Sequence, residues 1–168
     1  MKTLTHLNRS GEAKMVDVSA KKPTLREAKA SATVFASSGL IRLIEEKALP
    51  KGDVLSVAKV AGIQAAKKTY ELIPMCHPLR LSHIAIEVTL KGDSIEVLST
   101  VKTLDRTGVE MEALTAAAVT ALTIYDMCKS FEKGIVISDV MLLKKSGGKS
   151  GVWKRERNDA DWNSHGQR

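Results

Sequence analysis

The chain is poor in aromatic residues, which make up 4% of its 168 positions. Proteins that bind single-stranded nucleic acid commonly stack bases on aromatic side chains, so this scarcity argues against such a surface. Basic residues never form a run of five or six, although the formal net charge is +7. A basic excess attracts anions, and scattered lysines that converge in the fold suit a phosphorylated small molecule better than nucleic acid.

Cysteine is scarcer still. The two cysteines, Cys76 and Cys128, do not form a paired-cysteine metal motif. A zinc site would have to combine them with His77 and His83, and no recurring ligand spacing supports that. We therefore expect no metal and no cofactor, and two free thiols suit a reducing compartment.

Long hydrophobic runs are absent as well. No stretch reaches about 18 apolar residues without an Asp or Lys, so we expect no membrane span. The N-terminal MKTLTHLNRSGEAK lacks the apolar centre of a signal peptide, and we expect a cytoplasmic protein. With 43% hydrophobic residues, we predict a flexible segment at 1–15, one domain at 16–153, and a polar, disordered tail at 154–168.

Hydrophobic periodicity predicts the elements of that domain. Clean alternation in 82–90 and 95–101, around the turn at 91–94, predicts a β-hairpin. The other predicted elements are a strand in the second half of 24–36, a helix at 39–48 capped by Ser38, a helix at 54–72 capped by Asp53, a long helix at 107–129 and a last strand at 135–143. This order predicts an α+β, ferredoxin-like fold, in which helices pack on one face of an antiparallel sheet. The opposite face also needs cover, which suggests an oligomer.

The long helix carries charges on an apolar rod, namely Glu110, Glu112, Asp126 and Lys129. Burying a carboxylate costs several kcal/mol unless it is paired or used, so these residues are candidates for function. Thr107 and Glu110 match a capping box. The alternative is that the glutamates only cap the helix and that Lys129 favours its negative end.

Glu112 and Asp126 are separated by fourteen residues. At 100° per residue they return to within about 40° of one face, yet they lie roughly 21 Å apart along the axis. One small substrate cannot easily reach both. Two such helices paired antiparallel about a two-fold axis would bring Glu112 of one subunit near Asp126 of the other.

The loop LIPMCHPL at 72–79 is stiffened by two prolines that bracket Cys76 and His77. A histidine held in this way can exchange a proton or, when charged, bind phosphate. A thiol nucleophile and a purely structural loop are the alternatives.

The segment KKSGGKSG at 144–151 contains GKS, but the Walker pattern needs a glycine where Leu143 stands. It is therefore not a P-loop. A glycine-rich turn among lysines can still bind phosphate through its backbone N–H groups, and a flexible, solvated turn is the alternative.

Several long motifs together closely resemble the cyclic pyranopterin monophosphate synthase family of molybdenum cofactor biosynthesis. They are KGDV (51–54), AGIQAAKKT (61–69), LIPMCHPL (72–79), TGVEMEALTA (107–116), LTIYDMCK (122–129) and KSGGKSG (145–151). The resemblance covers about residues 4 to 153.

The resemblance implies a lyase that converts (8S)-3′,8-cyclo-7,8-dihydroguanosine 5′-triphosphate into cyclic pyranopterin monophosphate and diphosphate. It implies a ferredoxin-like homohexamer, a trimer of dimers, with active sites at the dimer interface. Asp126 and Lys129 match the catalytic pair. The implied substrate-binding residues are Met75, Cys76, His77, Met111, Glu112, Lys51, Lys67 and Lys145, and we add Glu110 from its place on the helix. A binding module for phosphate or nucleotide, without chemistry, is the competing prediction.

Overall fold

The computed structural model describes residues 10–156. In chain order, the elements are β1 (Thr24–Phe35), α1 (Ser38–Glu45), α2 (Val54–Lys67), α3 (Thr69–Leu72), β2 (Leu81–Leu90), β3 (Ser94–Asp105), α4 (Glu110–Cys128), β4 (Val136–Ser146) and β5 (Trp153–Lys154). Residues 1–9 of the predicted flexible segment and 157–168 of the predicted tail lie outside the described residues.

The strands form one sheet in the order β2-β3-β1-β4-β5, and every pairing is antiparallel. The order β2-β3-β1-β4 is that of the ferredoxin-like fold, so the predicted α+β class and fold are confirmed. Helices α2 and α4 pack against the sheet and against each other on one face. The short β5 was not predicted; it includes Lys154, which the sequence assigned to the tail.

Small residues let α4 lie close to the sheet. Alternate residues of β1 and one stripe of α4 are fully buried and are mostly alanine: Ala28, Ala30, Ala32 and Val34 in β1, and Ala113, Ala116, Ala117 and Ala121 in α4. Between them, the buried Ser99 of β3 donates a hydrogen bond of 2.7 Å to the Ala113 carbonyl. This close contact fixes the position of α4, and therefore the positions of the charges at its two ends.

Helices α2 and α4 also approach closely. A Cβ atom on Gly62 would lie 2.9 Å from the Ala116 carbonyl oxygen and would collide with the Thr120 hydroxyl. Glycine is therefore required at this crossing.

The structure corrects several predicted element boundaries. Strand β1 occupies all of 24–35 rather than its second half, because pairing with both β3 and β4 overrides the local helical preference of TLREAKA. The cap of α1 is Ser37, not Ser38. The predicted helix at 54–72 is broken at Lys68, where the buried Thr69 hydroxyl bonds to the carbonyls of Ala65 and Ala66.

The predicted capping box at the start of α4 is wrong. The helix begins at Glu110, its cap is Val109, and no side chain of a described residue caps it. The Glu110 carboxylate lies 3.6 Å from the Lys145 ammonium instead. The Glu110 side chain therefore contacts Lys145 of β4 and does not cap its own helix.

Candidate active site

A cavity of about 450 Å³ opens at the N-terminal end of α4. It is lined by Val16, Val18, Lys21, Met75, Cys76, His77, Leu79, Thr107, Gly108, Glu110, Met111 and Glu112. Six residues that the sequence predicted to bind substrate therefore come together here: the three from the proline-bracketed loop and the three that open α4. A pocket of this size can hold a nucleotide-sized ligand.

Glu112 is the buried acid of this cavity, with 4% of its surface exposed. Burial raises the pKa of its carboxyl to about 7; its own backbone N–H partly offsets this, and the negative charge of Glu110 adds to the rise. A carboxyl with a pKa near 7 is present in both protonation states at neutral pH. It can therefore give or take a proton without a large free-energy cost.

The loop at 72–79 supplies one thiol and one imidazole to the cavity. Burial, and then the charge of Glu112, raise the pKa of the Cys76 thiol, which disfavours the thiolate that a nucleophile requires. The Nε2 atom of His77 lies 2.8 Å from the Val16 carbonyl oxygen. Because that oxygen can only accept, Nε2 carries the proton, and Nδ1 is left for other partners.

Lys145 connects the glycine-rich segment to this cavity. Its ammonium group lies 3.6 Å from the Glu110 carboxylate and 2.5 Å from the Ser150 hydroxyl. The lysine on β4 thus lies beside the first turn of α4, through its approach to Glu110.

The turn at Gly147 and Gly148 has a specific packing reason for its two glycines. Both have positive φ, 95° and 70°, a conformation that side chains disfavour. A Cβ atom on Gly148 would collide with the guanidinium of Arg26. The turn therefore packs around the Arg26 guanidinium, which also donates hydrogen bonds to the backbone carbonyls of Asp105 and Arg106.

A second group of candidate residues lies at the C-terminal end of α4. The Lys129 ammonium is 2.6 Å from the Asp126 carboxylate, and the Lys51 ammonium donates to the Asp126 backbone carbonyl at 2.9 Å. Lys129 and then Lys51 lower the pKa of Asp126, while Asp126 raises the pKa of Lys129. In the single chain, the pair is therefore a carboxylate and an ammonium, so Lys129 is suited to hold an anion, while its raised pKa opposes the loss of its proton.

The sequence argument treated the charges on α4 as buried, and this is wrong for three of the four. The side chains of Asp126, Lys129 and Glu110 are 61%, 53% and 31% exposed, and only Glu112 is buried. The offset of about 40° around the helix is enough to turn Asp126 away from the sheet, although it shares a broad face with Glu112.

Lys67 is the predicted site residue that joins neither group. It ends α2, its side chain is exposed, and it makes no hydrogen bond or ion pair with another described residue. Sequence reasoning did not predict that Lys21 lines the cavity or that Arg26 packs against the Gly147–Gly148 turn. The local signal for Lys21 was the dipeptide Lys22–Pro23 directly after it, because a proline restricts the chain beside it.

Two further findings concern residues 10–156. No group of three or more His, Cys, Asp or Glu side chains there could hold a metal ion. None of the helices within that range combines the length and apolarity needed to cross a membrane.

Comparison with known proteins identifies the family of this chain. The model of the MoaC family matches residues 15–148. The cyclic pyranopterin monophosphate synthase of Peptoclostridium acidaminophilum is 55% identical over 152 residues, which are 90% of this chain and 97% of the relative. The protein of the same name from Streptomyces avermitilis is 52% identical and covers 90% and 89% of the two chains. Cyclic pyranopterin monophosphate synthase 1 of Mycobacterium tuberculosis is 52% identical, with 93% and 92% covered. The chain therefore belongs to the MoaC family.

Proposed function

We propose that this chain is a cyclic pyranopterin monophosphate synthase of molybdenum cofactor biosynthesis. Its substrate is (8S)-3′,8-cyclo-7,8-dihydroguanosine 5′-triphosphate. The five-membered ring of the guanine opens and its atoms are rebuilt into the pyranopterin, while a cyclic phosphate forms and diphosphate leaves. Identity above 50% along nearly the whole of three relatives with that name supports this activity.

The cavity beside Glu112 is the proposed place for the base and sugar, because it joins a buried acid to the loop of Met75, Cys76 and His77. The triphosphate extends towards Lys145, the Gly147–Gly148 turn and Arg26. Cations and backbone N–H groups stabilise phosphate charge there. Lys21 lines the same cavity and adds a further positive charge.

Asp126 and Lys129 are the proposed proton-transfer pair, and Asp126 lies roughly 21 Å from Glu112 along α4 by the rise of a helix. This separation is the observation that carries the proposal of a shared site. A second subunit, related by a two-fold axis, supplies its Asp126 and Lys129 to the cavity of the first. The outward stripe of α4 suits such a contact, because Leu122 is 57% exposed and Met111 36%.

The proposed assembly is a homohexamer, a trimer of dimers, with sites at the dimer interfaces. Lys51 stabilises the turn at Asp126 by donating a hydrogen bond to the Asp126 backbone carbonyl. Lys67 reaches the site only across the assembled interface. We propose that the enzyme works in the cytoplasm on a small molecule, with no nucleic acid, membrane or bound cofactor taking part.

The direct test is turnover of the cyclised nucleotide, followed by chromatography of the pterin product and by release of diphosphate. The unmodified chain is expected to form both products in equal amounts. Asp126→Ala is expected to reduce turnover by at least roughly a hundredfold, the low end for removing a positioned acid or base. Binding of the nucleotide without any conversion would instead identify a non-catalytic nucleotide-binding module.

A further inference from the structure

The turn that follows α4 is fastened to a distant part of the chain through Glu132. The Glu132 backbone N–H bonds to the Cys128 carbonyl at 3.1 Å, so the residue stays against the end of the helix. Its carboxylate accepts the Ser37 hydroxyl at 2.6 Å, and the Ser37 N–H at 3.1 Å from each oxygen. Two donors of one residue thus converge on one carboxylate, across 95 positions of sequence.

Ser37 is itself a structural anchor, because it caps α1. Its hydroxyl oxygen accepts the Leu40 N–H at 3.3 Å, and Leu40 is 1% exposed in the core. The Glu132 carboxylate therefore sits at the positive N-terminus of a helix whose apolar side is buried. Charged hydrogen bonds in this position are stronger than neutral ones.

The last turn of α4 and the turn that follows it are consequently attached, by one hydrogen-bonded contact each, to the segment that contains α1. Lys51, after α1, binds the Asp126 carbonyl at 2.9 Å, and Ser37, before α1, binds Glu132. Lys129 lies between these two attachments and contacts Asp126 at 2.6 Å. Both members of the proposed proton-transfer pair are exposed, so packing alone does not fix their positions.

We propose that Glu132 is a positioning residue for the reaction. Through its hydrogen bonds with Ser37, it keeps Lys129 beside Asp126. This inference rests on the proposed function, in which Asp126 and Lys129 act on the substrate. The Glu132 carboxylate touches no reacting atom. Its contribution is the geometry of the turn, and small displacements of a catalytic group lower the rate steeply.

The test compares Glu132→Ala, Glu132→Gln and Ser37→Ala with the matched control Glu46→Gln. Glu46 is an exposed glutamate directly after α1. Its carboxylate makes no hydrogen bond or ion pair with another described residue. Glu132→Ala is expected to lower kcat about fivefold or more, with KM changed less than about twofold. Glu132→Gln keeps one acceptor oxygen and should fall between Glu132→Ala and the control. Assays are run where circular dichroism shows each variant folded.

Two additional readouts separate positioning from stability. Amide hydrogen exchange should become faster at 126–134 and at the start of α1, and remain unchanged in the sheet. In a Lys129→Ala background under single-turnover conditions, Glu132→Ala should lower the rate no further. Control-like kcat in Glu132→Ala, or independent multiplication of the two losses, would overturn the proposal. Full activity of Lys129→Ala alone would instead count against the proposed function.

Discussion

Glu112 should make the protein less stable as the pH rises, because its carboxyl is buried. Its pKa is raised from 4.5 to about 7 by burial. Below both values the carboxyl is neutral in the folded and unfolded chain, and there is no penalty. Between them the unfolded chain loses the proton first, so the free energy of unfolding falls with rising pH and the full penalty is present above about pH 7.

The size of the penalty follows from about 1.4 kcal/mol for each pH unit between the two pKa values. The folded protein is therefore destabilised by about 1 kcal/mol at pH 5 and by about 3 kcal/mol at pH 8.5. Glu112→Gln has almost the same shape and no charge, so it removes the penalty. For a chain of this size, the advantage of the variant in Tm should grow by roughly 4–10 °C between these two pH values.

Thermal unfolding of both proteins at pH 5, 7 and 8.5 measures this growth, with the exposed Glu46→Gln as control. The Tm of the control should change with pH in the same way as the Tm of the unmodified protein. An advantage of Glu112→Gln that stays constant with pH, or a loss of stability at pH 8.5, would refute the reasoning. The variant should also be inactive at every pH, since an amide does not exchange a proton as the carboxyl does.

Three further predictions concern single contacts. Gly62→Ala forces a Cβ against Ala116 and Thr120 and should lower the free energy of unfolding, measured in urea, by about 1–3 kcal/mol. Gly92→Ala, whose Cβ meets no atom of a described residue within 4 Å, should not. Gly148→Ala crowds Arg26 and should raise KM about tenfold. Gly151→Ala has a similar positive φ, 63°, but its Cβ meets no atom of residues 10–156 within 4 Å, so equal KM values in the two variants would argue against a phosphate role for the turn. Lys51→Met removes a positive charge that lowers the pKa of Asp126, so the acidic limb of the pH–kcat profile should move to higher pH, and an unchanged limb would contradict this.

The sequence was sufficient for the fold because its signals were local and consistent. The hairpin at 82–101 alternates cleanly, and the observed β2 and β3 extend it by only a few residues. Strand β1 was only half predicted, since its first residues favour a helix until β3 and β4 pair with them. Strand β5 has two residues and no periodicity to detect, so only tertiary pairing reveals it.

The two charged groups at the ends of α4 could also be predicted, because a helix has a fixed rise and Glu112 and Asp126 have a fixed separation in sequence. Which of the charges is buried could not be predicted, because it depends on how α4 rotates against β1 and β3. The hydrogen bond between Ser37 and Glu132 could not be predicted either. It joins residues 95 positions apart, and neither residue belongs to a recognisable motif.

The central claim is that each active site is built from two subunits, and subunit mixing tests it most directly. Asp126→Ala and Glu112→Ala chains are each purified, shown to be folded and inactive, then unfolded together and refolded as a mixture. A mixed dimer contains one site with both substitutions and one site with neither, so the mixture should recover up to about one quarter of the unmodified activity if the chains pair at random. Refolding that yields mixed oligomers of normal size but no activity would contradict the shared site.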